Sequence, residues 1–350
     1  MTLAAAVCHD EPMASDESGE GVAFTHLDQP LADGTDITKR ELVEYLDGMS
    51  ERLIRVLADR PLSVIRTRPG SAPFMQKNLP KYAPDWIRSV ATWAERSKRT
   101  VTYPVCDDRR TLLWLANQRA VEFHPTLFRI GDDSRPSHVV LDIDPPENSG
   151  FDVVVRAARL VHQALLDVGL DGAVKTSGAK GVHIFVPVAS TDAEQAAAAS
   201  RAIAARAEGL DPELATTAFV RDERHGKVFL DSTRAGGATV AAAYSPRMRP
   251  GLPVSFPLSW DELGQVDPTQ LTIRTAPGRL GDDDPWQQLM PAPQQIPQSL
   301  LDEGREIPVA RVQAMHAGKR RKREQEQERG KRSEREQEQE RGKRSEREQG

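Results

Sequence analysis

The chain has 350 residues, with 47 Lys/Arg against 52 Asp/Glu, a hydrophobic share of 38% and an aromatic share of 5%. Its length suits one large or two modest domains. A net charge of −5 excludes polyanion binding by bulk positive charge, so any basic groove must come from arrangement. Cys8 and Cys106 are too few for a disulfide framework or a cysteine-rich zinc site.

Met1–Val7 is apolar but short, lacks a basic flank and is followed by acids, which does not make a secretory signal. No apolar run reaches membrane-spanning length. These features predict a soluble, cytoplasmic protein with no membrane partner. Residues 1–35 are acid-rich and carry no Lys or Arg, which predicts a disordered arm. Order is expected from Asp36, a candidate helix N-cap, followed by Leu42, Tyr45, Leu46 and Met49 at helical spacing. Pro61–Arg66 reads as a strand, and Trp86–Trp93 and Thr111–Ala120 as short helices. Ser137–Asp144 reads as a strand stopped by Pro145-Pro146, and Phe151–Val168 as an amphipathic helix. Strands near Ala173–Thr176 and Val182–Val188 flank a glycine turn, and an alanine-rich helix spans Asp192–Gly209. Lys227–Leu230 and Thr239–Tyr244 complete the strands. The catalytic domain is expected over 36–291. Residues 292–350 are expected to be a linker and a charged tail, in which Arg323–Glu334 recurs as 335–346 with no apolar position to bury.

Candidate chemistry gathers in three stretches. In Val139-Val-Leu-Asp-Ile-Asp144, alternation turns Val139, Leu141 and Ile143 one way and Asp142 and Asp144 the other. The two carboxylates then stand roughly 6–7 Å apart along the strand, a spacing that suits bridging divalent cations. Taken alone, the pair fits a solvated strand end equally well. Thr176-Ser-Gly-Ala-Lys-Gly-Val-His183 is a basic glycine turn in which Ser177, Lys180 and His183 are candidate phosphate ligands. An ordinary hairpin with a basic tip is the rival reading. Asp231 ends the run Val228-Phe-Leu, and Arg247 and Arg249 sit between prolines that stiffen the backbone, which suits a phosphate clamp or plain surface charge. His124, in Glu122-Phe-His-Pro125, fits a ligand contact or a local hydrogen bond.

In this order the segments resemble the polymerase domain of bacterial LigD-type end-joining proteins, within the archaeo-eukaryotic primase superfamily. The resemblance runs from about Asp36 to Trp286 and takes in Asp36-Ile-Thr-Lys-Arg, Phe74-Met-Gln-Lys-Asn-Leu-Pro80, Val121–Pro125, Leu141–Pro145, Thr176–His183, Lys227–Asp231 and Tyr244–Pro253. It implies an α+β fold of the primase type, with two β-sheets, one of them RRM-like, flanked by helices around an active-site groove. It implies template-dependent nucleotidyl transfer with two divalent metals, Mn2+ or Mg2+, held by Asp142, Asp144 and Asp231. His124, Ser177, Lys180, His183, Arg247 and Arg249 would contact the nucleoside triphosphate. Lys39 would read a downstream 5′-phosphate, and Phe74 and Lys77 the template strand. DNA ends or gapped DNA are the implied substrate, with a Ku-type end-binding protein and a separate ATP-dependent DNA ligase as partners at the nucleoid.

Two positions depart from the family pattern. Met75 stands where a second aromatic is usual, and Ser232-Thr-Arg-Ala-Gly follows Asp231 in place of an aromatic and a Gln-Asn pair. The departures keep open a catalytically weak DNA-end-binding module that recruits a ligase. A primase that starts chains de novo is a further alternative. An Asp-x-Asp sugar transferase would leave the other segments unexplained.

Overall fold

The computed structural model describes residues 18–309 except 95–97, 133–134 and 236–238. The expectations for residues 1–17 and for the charged repeat beyond 309 lie outside the described residues. A short hairpin, β1 (Ser18–Gly19) and β2 (Val22–Ala23), opens the described chain. Val22, Phe24, Leu27 and Leu31 are buried, so residues 22–32 pack onto the core rather than forming a disordered arm. Four buried apolar side chains outweigh the acidic composition of this segment. Their backbone folds back on the next helix: Lys39 N–H donates to Gln29 O and Arg40 N–H to Leu27 O.

Thr38, not Asp36, caps α1 (Lys39–Gly48), in a capping box with Glu41. Asp36 instead pairs with Arg274 at 2.7 Å. α2 (Ser50–Leu57) follows, then β3 (Leu62–Arg68) and β4 (Ser71–Gln76). The region expected to be helical at Trp86–Trp93 instead contains β5 (Ser89–Ala94), paired with β6 (Arg99–Pro104). Ser-Val-Ala-Thr-Trp-Ala is rich in strand-forming residues, and that preference prevails over its weak helical spacing. α3 (Arg109–Asn117) leads to β7 (Ala120–Pro125), which closes a three-stranded sheet of order β4-β3-β7.

The second half forms a six-stranded sheet. Its elements are β8 (His138–Asp144), α4 (Phe151–Leu166), β9 (Ala173–Thr176), β10 (Val182–Pro187), α5 (Ala193–Leu210), β11 (Ala215–Thr216), β12 (Val228–Asp231) and β13 (Pro257–Leu258). The strand order is β11-β12-β8-β10-β9-β13. Asp192 caps α5 through a second capping box, with Gln195. Thr239–Tyr244 is not a regular strand, but Val240 and Ala242 donate to the carbonyls of Pro125 and Phe123, tying this stretch to β7. Short helices α6 (Ala276–Leu280) and α7 (Pro285–Leu289) precede α8 (Gln298–Glu306), whose Leu300 and Leu301 are buried. The packed structure therefore continues past Pro291. The architecture is α+β, with two principal sheets and flanking helices. Among the described residues, no helix is long and apolar enough to cross a membrane.

Candidate active site

Register assembles the acids. Antiparallel pairing sets Asp231 of β12 directly opposite Asp142 of β8, and Asp142 opposite His183 of β10. Directly paired residues share a sheet face, so Asp142, Asp231 and His183 point the same way, joined by Asp144 two residues along β8. Carboxylate oxygens of Asp142, Asp144 and Asp231 lie within 4.8 Å of one another. Three converging hard-oxygen donors suit a divalent cation such as Mg2+ or Mn2+. The residues therefore fit the group that the sequence implies.

Each carboxyl has its own environment. Burial opposes charge on Asp142, but His183 and Arg234 overcome it and hold its pKa below the usual carboxylate range. Asp144 goes the other way: burial raises it, and the charges of Asp142 and Asp231 raise it further. Like charges at this range repel strongly, which is the electrostatic signature of a cation site.

From Asp142 a chain of polar groups runs through His183 to Lys175 and Ser255, two residues that the sequence reading did not single out. His183 Nε2 is 3.4 Å from Asp142 Oδ1, and Lys175 Nζ is 2.7 Å from His183 Nδ1. The Asp142 carboxylate only accepts, so Nε2 carries the proton toward it and Nδ1 accepts from Lys175. Lys175 also donates to Ser255 Oγ at 2.5 Å and is fully buried. Burial, then the Lys175 charge, pushes His183 down to about 4, which keeps it neutral near pH 7. Both ring nitrogens of His183 are thus engaged inside the protein rather than presented to a phosphate. The signal for Lys175 was a lone cation within the apolar strand Ala173-Val-Lys-Thr176.

The glycine turn lies beside the acids. Ser177 Oγ accepts from the Ala179 and Gly181 N–H groups at 3.2 Å, closing the turn on itself. Gly178 has φ +69°, and a Cβ there would meet Arg247 Cγ at 2.5 Å. At Gly181 a Cβ would fall 2.1 Å from Ile143 O, so only glycine lets the turn approach β8. Lys180 and Arg249 border a cleft of about 1140 Å³ that also meets Asp144, Ser177, Arg221, Arg224 and Lys227. The last three cations were not singled out from sequence. Arg224 is stacked on Phe229 at 3.6 Å, which fixes its guanidinium. A smaller, more apolar cavity of about 430 Å³ lies around His138, Phe185 and Trp286 and is bordered by none of the three acids.

Glu122 joins the remaining candidates. Its carboxylate accepts from Arg247 Nε at 2.8 Å and from Met248 N–H at 2.8 Å, and it pairs with His124 Nε2 at 2.8 Å. Arg247 Nη1 also donates to the Ser177 carbonyl. One carboxylate therefore ties β7 to the Arg247 loop and, through it, to the glycine turn. Burial works against Glu122, yet His124 and Arg247 bring it down to about 2. The sequence signal was the i, i+2 spacing of Glu122 and His124, which shares one strand face.

None of the proposed DNA contacts borders the basic cleft. Phe74 and Lys77 lie at the outer strand of the small sheet, with the Arg68 guanidinium 5.2 Å from the Phe74 ring centroid. By register, Met75 pairs with Ile65, which pairs with Glu122, so Met75 shares the Glu122 and His124 face and is 47% exposed. Lys39 is buried, with Nζ donating to the Thr25 carbonyl and to Asn117 Oδ1. Its ammonium must leave those oxygens before it can meet an external phosphate.

Convergent acids at adjoining strands, a basic glycine turn and a cation-lined cleft on a two-sheet α+β frame define a primase-type catalytic fold. The family described as LigD, primase-polymerase domain, matches residues 38–286, and the chain belongs to it. It is 33% identical over 286 residues to the bifunctional non-homologous end joining protein LigD of Bacillus subtilis, covering 80% of this chain and 45% of that protein. It is 31% identical over 272 residues to the multifunctional LigD of Mycolicibacterium smegmatis, covering 76% and 35%. The chain thus spans less than half the length of these curated relatives. Among solved structures it resembles the polymerase domain of Mycobacterium tuberculosis ligase D in complex with DNA. There the TM-score is 0.68 at 32% identity, over 75% of this chain and 95% of that one.

Proposed function

We propose that this protein is a template-dependent nucleotidyltransferase that fills gaps in DNA during bacterial non-homologous end joining. The observation that carries the reading is the meeting of Asp142, Asp144 and Asp231 within 4.8 Å beside a basic cleft. Two divalent ions, Mn2+ or Mg2+, held by these three acids would activate a primer 3′-hydroxyl and stabilise the leaving pyrophosphate. The chain's own residues do the rest. Lys180 and Arg249 neutralise triphosphate charge across the cleft. Arg247, braced by Glu122, holds the glycine turn in place. His183, oriented by Lys175, orients Asp142. His124 stands beside the incoming nucleotide, and Phe74 and Lys77 contact the template at the outer strand of the small sheet, with Phe74 on the face opposite Met75. The resemblance assigns 5′-phosphate reading to Lys39, a role that requires its release from Thr25 and Asn117. A Ku-type protein and a separate ATP-dependent ligase at the nucleoid would complete repair.

The test is extension on a 5′-phosphorylated gapped duplex, with ribo- or deoxyribonucleotides and Mn2+ or Mg2+, alongside Asp142→Ala. Metal-dependent incorporation that vanishes in the variant is the expected result. Incorporation that survives Asp142→Ala contradicts the assignment. End binding without turnover by the unaltered chain would favour the end-binding module, a reading supported by the Arg234 side chain beside Asp142 and Asp231.

A further inference from the structure

Arg234 lies in the single 3-10 turn Thr233–Ala235 that follows Asp231, inside the segment that departs from the family pattern. Its Nη2 is 3.0 Å from Asp142 Oδ2 and its Nε is 3.3 Å from Asp231 Oδ2. The other oxygens of the same carboxylates are also engaged. Asp142 Oδ1 faces His183 Nε2, and Asp231 Oδ1 accepts the Thr233 N–H at 2.8 Å. Every oxygen of these two acids therefore faces a protein partner.

The contact with Asp231 is electrostatic rather than a formed hydrogen bond. Arg234 Nε is buried and has no acceptor in hydrogen-bonding geometry. A buried donor left in that state is unfavourable, so the guanidinium is attracted to the acids without being locked to them. Arg234 and a bridging divalent ion also compete for the same oxygens, because a carboxylate oxygen turned into a guanidinium is not free to ligate a metal.

Resting on the reading of Asp142, Asp144 and Asp231 as the metal site, we propose that Arg234 is the resident counter-cation of this triad, which a divalent ion must displace to bind. An interaction made in the metal-free state and lost on binding subtracts directly from metal affinity. Arg234 thus acts as a positioning residue. It holds Asp142 and Asp231 together before metal arrives, and it sets the cation concentration at which the site fills.

The experiment titrates the full chain with Mn2+ alone, by calorimetry or by the electron paramagnetic resonance signal of free Mn2+, for the unaltered protein, Arg234→Gln and Arg234→Lys. Asp144→Asn defines the triad-dependent fraction of binding. Arg234→Gln is expected to bind Mn2+ about five-fold or more tightly than the unaltered chain, with Arg234→Lys between them. In chelator, Arg234→Gln should melt earlier than the unaltered chain, and it should gain more in Tm when Mn2+ is added, a pattern that a merely structural role would not produce. Triad-dependent binding that is equal or weaker in folded Arg234→Gln overturns the proposal alone. Absence of triad-dependent binding in every version sinks the metal-site reading and the proposal with it.

Discussion

Lys175 Nζ stands 2.7 Å from His183 Nδ1, fully buried on the sheet face that carries Asp142 and Asp231 and not bordering the cleft. A lysine in this position fixes an imidazole tautomer, and the imidazole in turn aims a carboxylate. Lys175→Met keeps the stem and removes the donor. We expect incorporation to fall roughly 10–100-fold, the usual range for partners that orient ligands, with the far-ultraviolet circular dichroism spectrum unchanged. Wild-type turnover in Lys175→Met would show that His183 needs no such support.

Glu122 predicts an acid limit to stability. Its folded pKa, about 2, lies below the ordinary glutamate value of 4.5, so its contribution is fully present above about pH 4.5 and drains away as pH falls toward 2. The shift corresponds to about 3 kcal/mol at neutral pH. Denaturant titrations of the unaltered chain and Glu122→Gln should converge at low pH and separate above pH 5. A constant difference across that range would contradict the assignment.

Gly181 is the tightest point between the turn and β8. A methyl group there would strike Ile143 O, which belongs to a central strand and has little room to yield. Gly181→Ala should lower stability by about 2–4 kcal/mol and depress incorporation, because the displaced backbone lies between Asp142 and Asp144. An unchanged melting temperature would mean that β8 relaxes freely.

Met75 offers a gain rather than a loss. It is exposed on the face of the small sheet that carries Glu122 and His124, where an aromatic ring would stack on a base. Met75→Phe is expected to tighten binding of a single-stranded overhang by about 1 kcal/mol, roughly five-fold, in a fluorescence anisotropy titration. No change would place the template elsewhere.

Much of the site was legible because it follows strand alternation. Asp142 and Asp144 share a face by spacing alone, and the Gly178 and Gly181 turn is written in residues with few other uses. What alternation cannot reveal is which strands become neighbours. Lys175 and Glu122 gain meaning only once β9 lies beside β10 and the Arg247 loop lies beside β7. Arg234 was seen only as part of an atypical segment, since nothing in Ser232-Thr-Arg-Ala-Gly says that its guanidinium turns back on the acids. The buried segment before Asp36 was hidden by its charge, and β5 by a short apolar run that suits either period.

Pro257, Lys175, His183, Asp142 and Asp231 occupy one transverse row across five neighbouring strands. Side chains alternate by face, so a slip of one residue in any of these strands would turn its member of the row to the opposite surface. The row spans residues 142 to 257 and exists only after distant parts of the chain have met. A molecule with native helices but a misaligned sheet would therefore be folded by circular dichroism and chemically silent. Activity in this protein is a stricter report on strand alignment than any measure of secondary structure.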